Sequence, residues 1–171
     1  MERTKKRLRT RNQLKKALLG LCGEKNYYDI TIDEICERAQ TYRSTFYRYY
    51  DSKDKLLREI ENEYIEETQK LTPSFDAVSG EKFDDLYQLL LQELTRDMEY
   101  HWEHGDLCRF LLSPAGDIYF HNKMVASISD TFRKSNRKLQ EQWDSDTVYL
   151  MSFFANGYIS AIYEWLNRGD R

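Results

Sequence analysis

Residues 30–57 decide the fold, and their sequence is ITIDEICERAQTYRSTFYRYYDSKDKLL. Thr31 and Glu34 form a capping-box pattern, in which each side chain accepts a hydrogen bond from the other residue's backbone N–H. This pattern predicts a helix that begins at Thr31 and runs to about Ala39. Apolar residues recur through it at helical spacing, which predicts an inner face made of Ile32, Ile35, Cys36 and Ala39.

A second short helix is predicted over residues 43–50, after a break at residues 40–42. Phe46 and Tyr50 are four residues apart, so they share one face and are expected to point into the core. Two short helices joined by a tight turn are typical of a helix-turn-helix, here over about residues 31–50. In that motif the N-terminal end of the second helix meets base edges in the major groove of DNA.

Longer helices are predicted on both sides of this motif. The preceding segment carries apolar residues at i, i+3, i+4, i+7 and i+8, namely Leu14, Ala17, Leu18, Leu21 and Cys22. Asp51 and Ser52 are a second capping signal, and the helix after them should end near Thr72 because Pro73 disfavours helical backbone before it. These elements predict a three-helix, helix-turn-helix DNA-binding domain over residues 1–58.

Charge is divided unevenly along the chain. Residues 1–58 hold 15 Lys and Arg against 8 Asp and Glu, a net charge of +7. Residues 59–171 hold 11 against 21, a net charge of −10. A basic module on an acidic body indicates that one end of the molecule approaches a polyanion. Within that end the arginines of the first helix would add non-specific attraction to DNA.

The second half, residues 59–171, is also predicted to be helical, which makes the whole chain all-α. Residues 72–80 are interpreted as a linker, and residues 113–117 as a turn. Residues 148–166 are apolar nearly all round, so the last helix should be covered on more than one side, the second cover being a partner subunit. Polar residues interrupt this stretch, which is therefore interpreted as a buried helix and not as a membrane span.

The cellular setting is predicted to be the cytoplasm. The N-terminus is charged and no apolar segment follows it, so a secretory signal is not expected. The three cysteines are widely spaced, and reduced thiols fit them better than a disulfide framework.

Residues 30–57 resemble the TetR family of regulators. That family pattern has a Thr-capped helix, a turn, a Phe-Tyr pair with an aromatic residue close behind, and Ser-Lys-x-x-Leu at the start of the next helix. The match covers roughly residues 8–58. The resemblance implies a DNA-contacting set that consists of Thr31, Thr41, Tyr42, Arg43, Ser44, Thr45, Tyr47, Tyr49 and Lys53. Lys53 would hold a phosphate at the start of the fourth helix.

The turn departs from the family pattern. The family has Gly after the Ala, then an aliphatic residue and a Ser, where this chain has Gln40, Thr41 and Tyr42. If Gln40 must take a positive φ, the strain costs of order 1 kcal/mol.

The second half is similar to the C-terminal region of a Firmicutes-type TetR subgroup, through the sequence LLSPAGD at residues 111–117 and Gly157, Ala161, Trp165, Leu166 and Gly169 near the end. The resemblance implies a ligand-binding and dimerisation domain in which the last two helices form a homodimer, so that the protein would bind a near-palindromic operator in double-stranded DNA. It also implies a pocket for an unknown small-molecule effector that releases a repressor from DNA. Predicted lining residues are Tyr87, Leu91, Leu94, Met98, Trp102, Phe110, Tyr119, Met124, Phe153 and Tyr158.

Other functions were weighed against this one. His101, His104 and Cys108 would share a face of a continuous helix and could ligate a metal, but Gly105 could end the helix and scatter them, and no metal or cofactor is predicted. No enzyme motif is present, and an enzyme is not expected. The alternative class is a helical interaction protein with a vestigial helix-turn-helix.

Overall fold

The computed structural model describes residues 2–71, 83–135 and 144–169, and every regular element in them is helical. The predicted all-α fold is therefore confirmed. The predicted linker at residues 72–80 lies outside the described residues. In chain order the α-helices are α1 (Glu2–Cys22), α2 (Ile32–Arg38), α3 (Arg43–Tyr47), α4 (Lys53–Leu71), α5 (Phe83–Glu103), α6 (Gly105–Leu112), α7 (Phe120–Ser135) and α8 (Ser145–Arg168), with a 3-10 turn at Tyr27–Asp29.

The N-terminal module packs α1, α2 and α3 around one apolar core. Thr31 and Glu34 close the predicted capping box: the Glu34 backbone N–H donates to Thr31 Oγ1 at 3.3 Å, and the Thr31 N–H donates to the Glu34 carboxylate at 2.9 Å. Each bond satisfies a donor that a helix start leaves free. The predicted faces are confirmed, because the buried residues of this core include Leu14, Leu18, Ile35, Phe46 and Tyr50.

The turn between α2 and α3 explains the departure at Gln40. The Thr41 N–H donates to the Cys36 carbonyl at 2.8 Å, and the Gln40 N–H donates to the Glu37 carbonyl at 3.0 Å. This pair of bonds is a Schellman motif, which requires a left-handed residue after the helix. Gln40 takes that conformation with a φ of 50°. The helix end therefore carries a strain of order 1 kcal/mol that glycine would avoid.

The recognition segment is shorter as a helix than predicted. α3 covers five residues and ends at Tyr47, whereas the prediction extended to Tyr50. Arg48 and Tyr49 continue as turns, in which the Tyr49 and Tyr50 N–H groups both donate to the Phe46 carbonyl, at 2.9 and 3.0 Å. The bond from Tyr49 spans three residues, and bonds of this kind tighten the end of a helix.

Helix α4 belongs to both halves of the molecule, since it packs against α1 on one side and against α5 and α7 on the other. The predicted boundary between residues 58 and 59 falls inside it and remains a prediction. The second half, which we call the regulatory half after its predicted role, consists of α5 to α8, with α8 packed on α5, α6 and α7. No helix in the described ranges is long and apolar enough to cross a membrane.

Two polar contacts join the halves beside α4. Glu61 is fully buried, and one of its oxygens accepts from Lys123 Nζ at 2.6 Å, while Lys123 also donates to Asp117 at 2.7 Å. Burial raises the pKa of Glu61, and the hydrogen bond from Lys123 opposes that rise. The Tyr27 N–H donates to the carbonyl of Ala115 at 3.3 Å, so the turn between α6 and α7 contacts the N-terminal module directly.

A buried polar network lies at the centre of the regulatory half. The His101 ring bonds the Tyr64 hydroxyl through Nδ1 at 2.5 Å and the Asp97 carboxylate through Nε2 at 3.3 Å. Tyr158 of α8 donates to Asp97, and Cys108 Sγ is 3.9 Å from Nδ1. Burial acts to lower the pKa of His101, but the bonds to Asp97 and Cys108 outweigh it and raise the pKa to about 9. The raised pKa favours the charged imidazolium form of His101.

The network predicts a pH window for stability. In the folded protein the pKa of His101 lies above its ordinary value of 6.5. The contribution of this residue to the free energy of unfolding is therefore full below pH 6.5 and is lost as the pH rises to about 9. Urea unfolding of the wild type and His101→Gln should give free energies of unfolding whose difference shrinks by about 1–3 kcal/mol between pH 6 and pH 9.5.

Asp97→Asn is the matched control for that window. It leaves the imidazole in place but removes the carboxylate that favours its charged form, so the loss of stability between these pH values should become smaller. A difference between wild type and His101→Gln that stays constant over the range would contradict the charged imidazole.

Candidate DNA interface

The exposed side of α3 is polar and aromatic. Phe46 is the buried residue of this helix, so the residues around it face outward. Tyr42, at the N-terminal cap, has 80% of its surface exposed; Arg43, Ser44 and Tyr47 are also exposed. Thr41, Thr45 and Tyr49 are half-buried beside them. The predicted base-contacting residues are therefore grouped around the N-terminal end of α3.

A groove of about 930 Å³ runs between α3 and the start of α1, and we call it the α1–α3 groove. Its lining residues are Thr4, Lys6, Arg7, Thr10, Gln13, Gln40, Thr41, Tyr42, Thr45, Arg48 and Tyr49. Four of them belong to the predicted DNA-contacting set. Arg48 and Lys6 do not, although Lys and Arg beside a recognition helix are the usual ligands of DNA phosphates. Arg48 lies within the predicted second helix, so its charge could have suggested this role, whereas the sequence did not place Lys6 beside α3.

Thr31 and Arg43 already have partners in the protein. The Thr31 hydroxyl donates to Glu34 at 2.8 Å within the capping box, and it is exposed at the start of α2. Arg43 donates to both carboxylate oxygens of Asp33, at 2.8 and 2.7 Å, and to the Tyr47 hydroxyl at 3.3 Å. These contacts orient both side chains on the surface that α2 and α3 share.

Lys53, which is predicted to hold a phosphate at the start of α4, has several partners within the protein. Its ammonium donates to the carbonyls of Tyr27, Tyr28 and Ile30 at 2.8, 3.1 and 2.7 Å, and it lies 4.5 Å from the centre of the Tyr27 ring. Tyr27 in turn donates its hydroxyl proton to Asp54. An ammonium group has three protons, and all three are used here. Lys53 therefore holds the 3-10 turn against α4, and its predicted phosphate contact stays a prediction.

Two basic residues of α1 serve the fold in the same way. Arg11 pairs with Glu59 of α4, and Lys15 pairs with both Glu59 and Glu63. The Tyr50 hydroxyl also donates to Glu59, at 3.1 Å. Glu59 thus gathers three donors and fastens α1 and the end of the recognition segment to α4. The expected attraction of α1 for DNA consequently rests on its other basic residues.

The predicted effector-pocket residues differ in their burial. Leu91, Leu94, Tyr119 and Phe153 are exposed; Met98, Trp102, Phe110 and Tyr158 are half-buried; and Met124 is buried. The side chain of Tyr87 lies outside the described residues. Trp102 and Phe110 line a groove of about 590 Å³ at the junction of α1, α5, α6 and α8. The effector pocket therefore stays a prediction.

The possible metal ligands are separated by the end of α5. His104 is the cap of α6 and stacks on Tyr100 with ring centres 4.2 Å apart, whereas His101 and Cys108 are buried in the polar network. His121 contacts Asn156 at 2.9 Å in another part of the domain. Among residues 2–71, 83–135 and 144–169 no group of three or more His, Cys, Asp and Glu could hold a metal ion.

One face of α8 exposes a row of large apolar side chains. The row consists of Tyr149, Leu150, Phe153 and Phe154. Gly157, Ser160 and Ala161 continue it as small exposed residues, and a Cβ on Gly157 would meet nothing within 4 Å. The opposite face, with Ala155, Ile159, Ile162 and Leu166, is buried in the domain. Clustered exposed apolar residues of this kind mark an interaction surface.

A capped helix, a Schellman turn and a short helix with an exposed polar face define a helix-turn-helix protein. Comparison with known families gives the particular family. Residues 16–60 match the profile described as "Bacterial regulatory proteins, tetR family", and residues 87–171 match "Transcriptional regulator C-terminal region". The chain belongs to the TetR family of transcriptional regulators, as the resemblance predicted.

Individual relatives agree with this assignment. The uncharacterised regulator YdgC of Bacillus subtilis strain 168, described as HTH-type, is 25% identical over 111 residues, which are 64% of this chain and 57% of YdgC. The uncharacterised HTH-type regulator YxbF of the same strain is 42% identical over 52 residues, 30% of this chain and 14% of YxbF. The chain thus matches less than two thirds of the length of either relative.

Solved structures share the fold. A TetR transcriptional regulator from Streptococcus agalactiae 2603V superposes with a TM-score of 0.67 at 22% identity, over 97% of this chain and 87% of that one. The dihydroxyacetone kinase operon activator DhaS gives 0.61 at 19% identity, over 94% and 86%. At these identities the likeness concerns the fold alone.

The position of Lys53 leads to a test that separates folding from DNA binding. Lys53→Gln should lower the free energy of unfolding by about 2–3 kcal/mol, because three carbonyls lose a charged donor. Urea unfolding measures this, with Lys55→Gln, an exposed neighbour, as the control. Unchanged stability, together with a salt dependence of DNA binding reduced by about one charge, would instead assign Lys53 to a phosphate.

Proposed function

We propose that this protein is a homodimeric repressor that binds a near-palindromic DNA operator and is released by a small molecule. The observation that carries the DNA-binding part is the exposed N-terminal end of α3. Tyr42 at the N-terminal cap and Arg43 and Ser44 in the first turn are exposed there, on a five-residue helix whose Phe46 side chain is buried in the core. Such a helix, with few side chains committed to the core, fits the major groove, where these residue types hydrogen-bond to base edges.

Electrostatics support the same surface. The N-terminal module has a net charge of +7 and the rest of the chain −10, so an approaching duplex is attracted to one end only. Lys6, Arg7 and Arg48 in the α1–α3 groove lie next to the recognition helix and could reach phosphates on either side of it. The proposed setting is the cytoplasm, where the DNA is.

The exposed row on α8 supports a homodimer. Phe153 has 74% and Tyr149 72% of its surface exposed, which leaves a large apolar area to be covered. Gly157, Ser160 and Ala161 would let a second α8 approach closely. A two-fold axis through this row would present two recognition helices to half-sites about one helical turn apart, and the operator would share that symmetry.

Regulation is proposed to act through the spacing of the two recognition helices. An effector bound within residues 81–171 would favour one arrangement of the regulatory half over another. α4 contacts both halves, so it would carry the change to α1 and α3. Release of a repressor is the proposed outcome, although DhaS, which shares the fold, is described as an operon activator.

The DNA-binding proposal is tested by selection from a random duplex pool with the full-length protein at near-physiological salt. We expect a palindromic consensus, and an affinity for it that falls on the order of tenfold or more in Arg43→Ala and Tyr47→Ala, since each would remove a contact with the duplex. Arg133→Ala on α7, at the other end of the chain, is the control. Weak binding without a consensus, equal in all four proteins, would favour the helical interaction protein.

The dimer is tested by placing a charge in the exposed row. Phe153→Asp should convert the protein to a monomer in sedimentation equilibrium, because burying an unpaired carboxylate in the interface is unfavourable. Operator affinity should fall on the order of 100-fold as the two half-sites are bound separately.

The control is Tyr28→Asp, an aromatic residue of comparable exposure outside α8. Its molecular mass in solution should equal that of the wild type. A wild-type protein that sediments as a monomer, or a Phe153→Asp variant that still sediments as a dimer, would contradict the proposed interface.

A further inference from the structure

An acidic side chain stands among the residues proposed to face DNA. Asp33 lies in the first turn of α2, and its side chain is 64% exposed beside the N-terminal end of α3. Phosphates would repel it, so a carboxylate at this position weakens non-specific attraction. Helix capping does not require it, because Thr31 and Glu34 already close the capping box of α2.

The contact between Asp33 and Arg43 gives this carboxylate a defined task. Nη1 of Arg43 donates to Oδ1 at 2.8 Å and to Oδ2 at 2.7 Å. Nη2 donates to the Tyr47 hydroxyl at 3.3 Å, and the guanidinium carbon lies 5.8 Å from the centre of the Tyr47 ring. Two neighbours, one on α2 and one on α3, therefore fix the plane of a side chain that would otherwise be mobile on the surface.

The remaining donors of Arg43 form a fork. A guanidinium has five N–H groups in a rigid plane, and Arg43 uses Nη1 for Asp33 and Nη2 for Tyr47. The Nε–H and one Nη2–H lie parallel on the edge away from Nη1, and among the described residues the Nε–H has no partner. This parallel pair matches the O6 and N7 acceptors that guanine presents in the major groove.

We propose that Asp33 is a positioning residue that presents the Nε–Nη2 edge of Arg43 to a guanine, so that each half-site of the operator contains a selected guanine. This inference rests on the proposed DNA-binding function. Asp33 touches no base itself; it limits the orientations of Arg43. The negative charge of Asp33 weakens the attraction to any duplex. Its hydrogen bonds to Arg43 increase the preference for guanine over the other bases.

The proposal predicts two opposite changes in Asp33→Ala. Affinity for random-sequence DNA should rise several-fold, because a negative charge leaves the interface. The preference for guanine over the other bases at one position of each half-site should fall about tenfold, since a freely rotating arginine no longer offers a single fork. A residue that only stabilised α2 would change both affinities in the same direction.

Selection from a random duplex pool with the full-length wild type, Asp33→Ala and Arg43→Lys tests this, with Glu37→Ala as the matched control. Glu37 is an exposed acid on the same helix, so its replacement removes the same charge without touching Arg43. We expect Glu37→Ala to keep the guanine preference and Arg43→Lys to lose it, because an ammonium has no planar fork. Urea unfolding verifies that the variants are folded.

The outcomes separate the two proposals. A wild-type consensus without a guanine, or with a guanine that Asp33→Ala selects equally well, would overturn the role of Asp33 and leave the DNA-binding function standing. Absence of any consensus in the wild type would contradict the DNA-binding function itself.

Discussion

The recognition surface depends on the burial of Phe46. A helix of five residues cannot hold itself together, because nucleation costs more than so few backbone hydrogen bonds return. Phe46 is fully buried, and its ring lies 5.8 Å from that of Tyr50, which is buried as well. These two rings hold α3 on the core, while the residues between and before them are exposed or half-buried on its outer side.

Ion pairs of Glu59 and hydrogen bonds from Lys53 fix the other helices of the N-terminal module around Phe46 and Tyr50. Tyr50 bonds Glu59, and Glu59 also binds Arg11 and Lys15, so the end of the recognition segment, α1 and α4 meet at one carboxylate. Lys53 holds the 3-10 turn at the start of the same helix. The position of α3 relative to the regulatory half is therefore set by α4, whose far side carries the buried Glu61.

Local signals made most of the N-terminal module predictable. The capping box at Thr31 and the spacing of Phe46 and Tyr50 are patterns within a few residues, and the structure confirms both. The sequence predicts backbone strain at Gln40 if this residue takes a positive φ. Gln40 does take a positive φ, in a turn closed by the two Schellman hydrogen bonds. The role of Lys53 was not predictable, because its carbonyl partners lie 23 to 26 residues away along the chain. The charge of Lys53 is evident from the sequence, but the backbone carbonyls that it contacts are known only from the fold.

The net charge of the N-terminal module likewise does not show which of its cations are already bound within the fold. Its net value of +7 counts Arg11, Lys15, Lys53 and Arg43 as equals, yet the first three are committed to contacts within the fold. Arg43 differs from them, because its partner Asp33 leaves one edge of the guanidinium unused. Attraction to a duplex would then come from the basic residues of the α1–α3 groove, and selection of its sequence from the few oriented side chains of α3. Under the proposed function, charge would bring protein and duplex together, and hydrogen bonds within the protein would decide which base Arg43 selects.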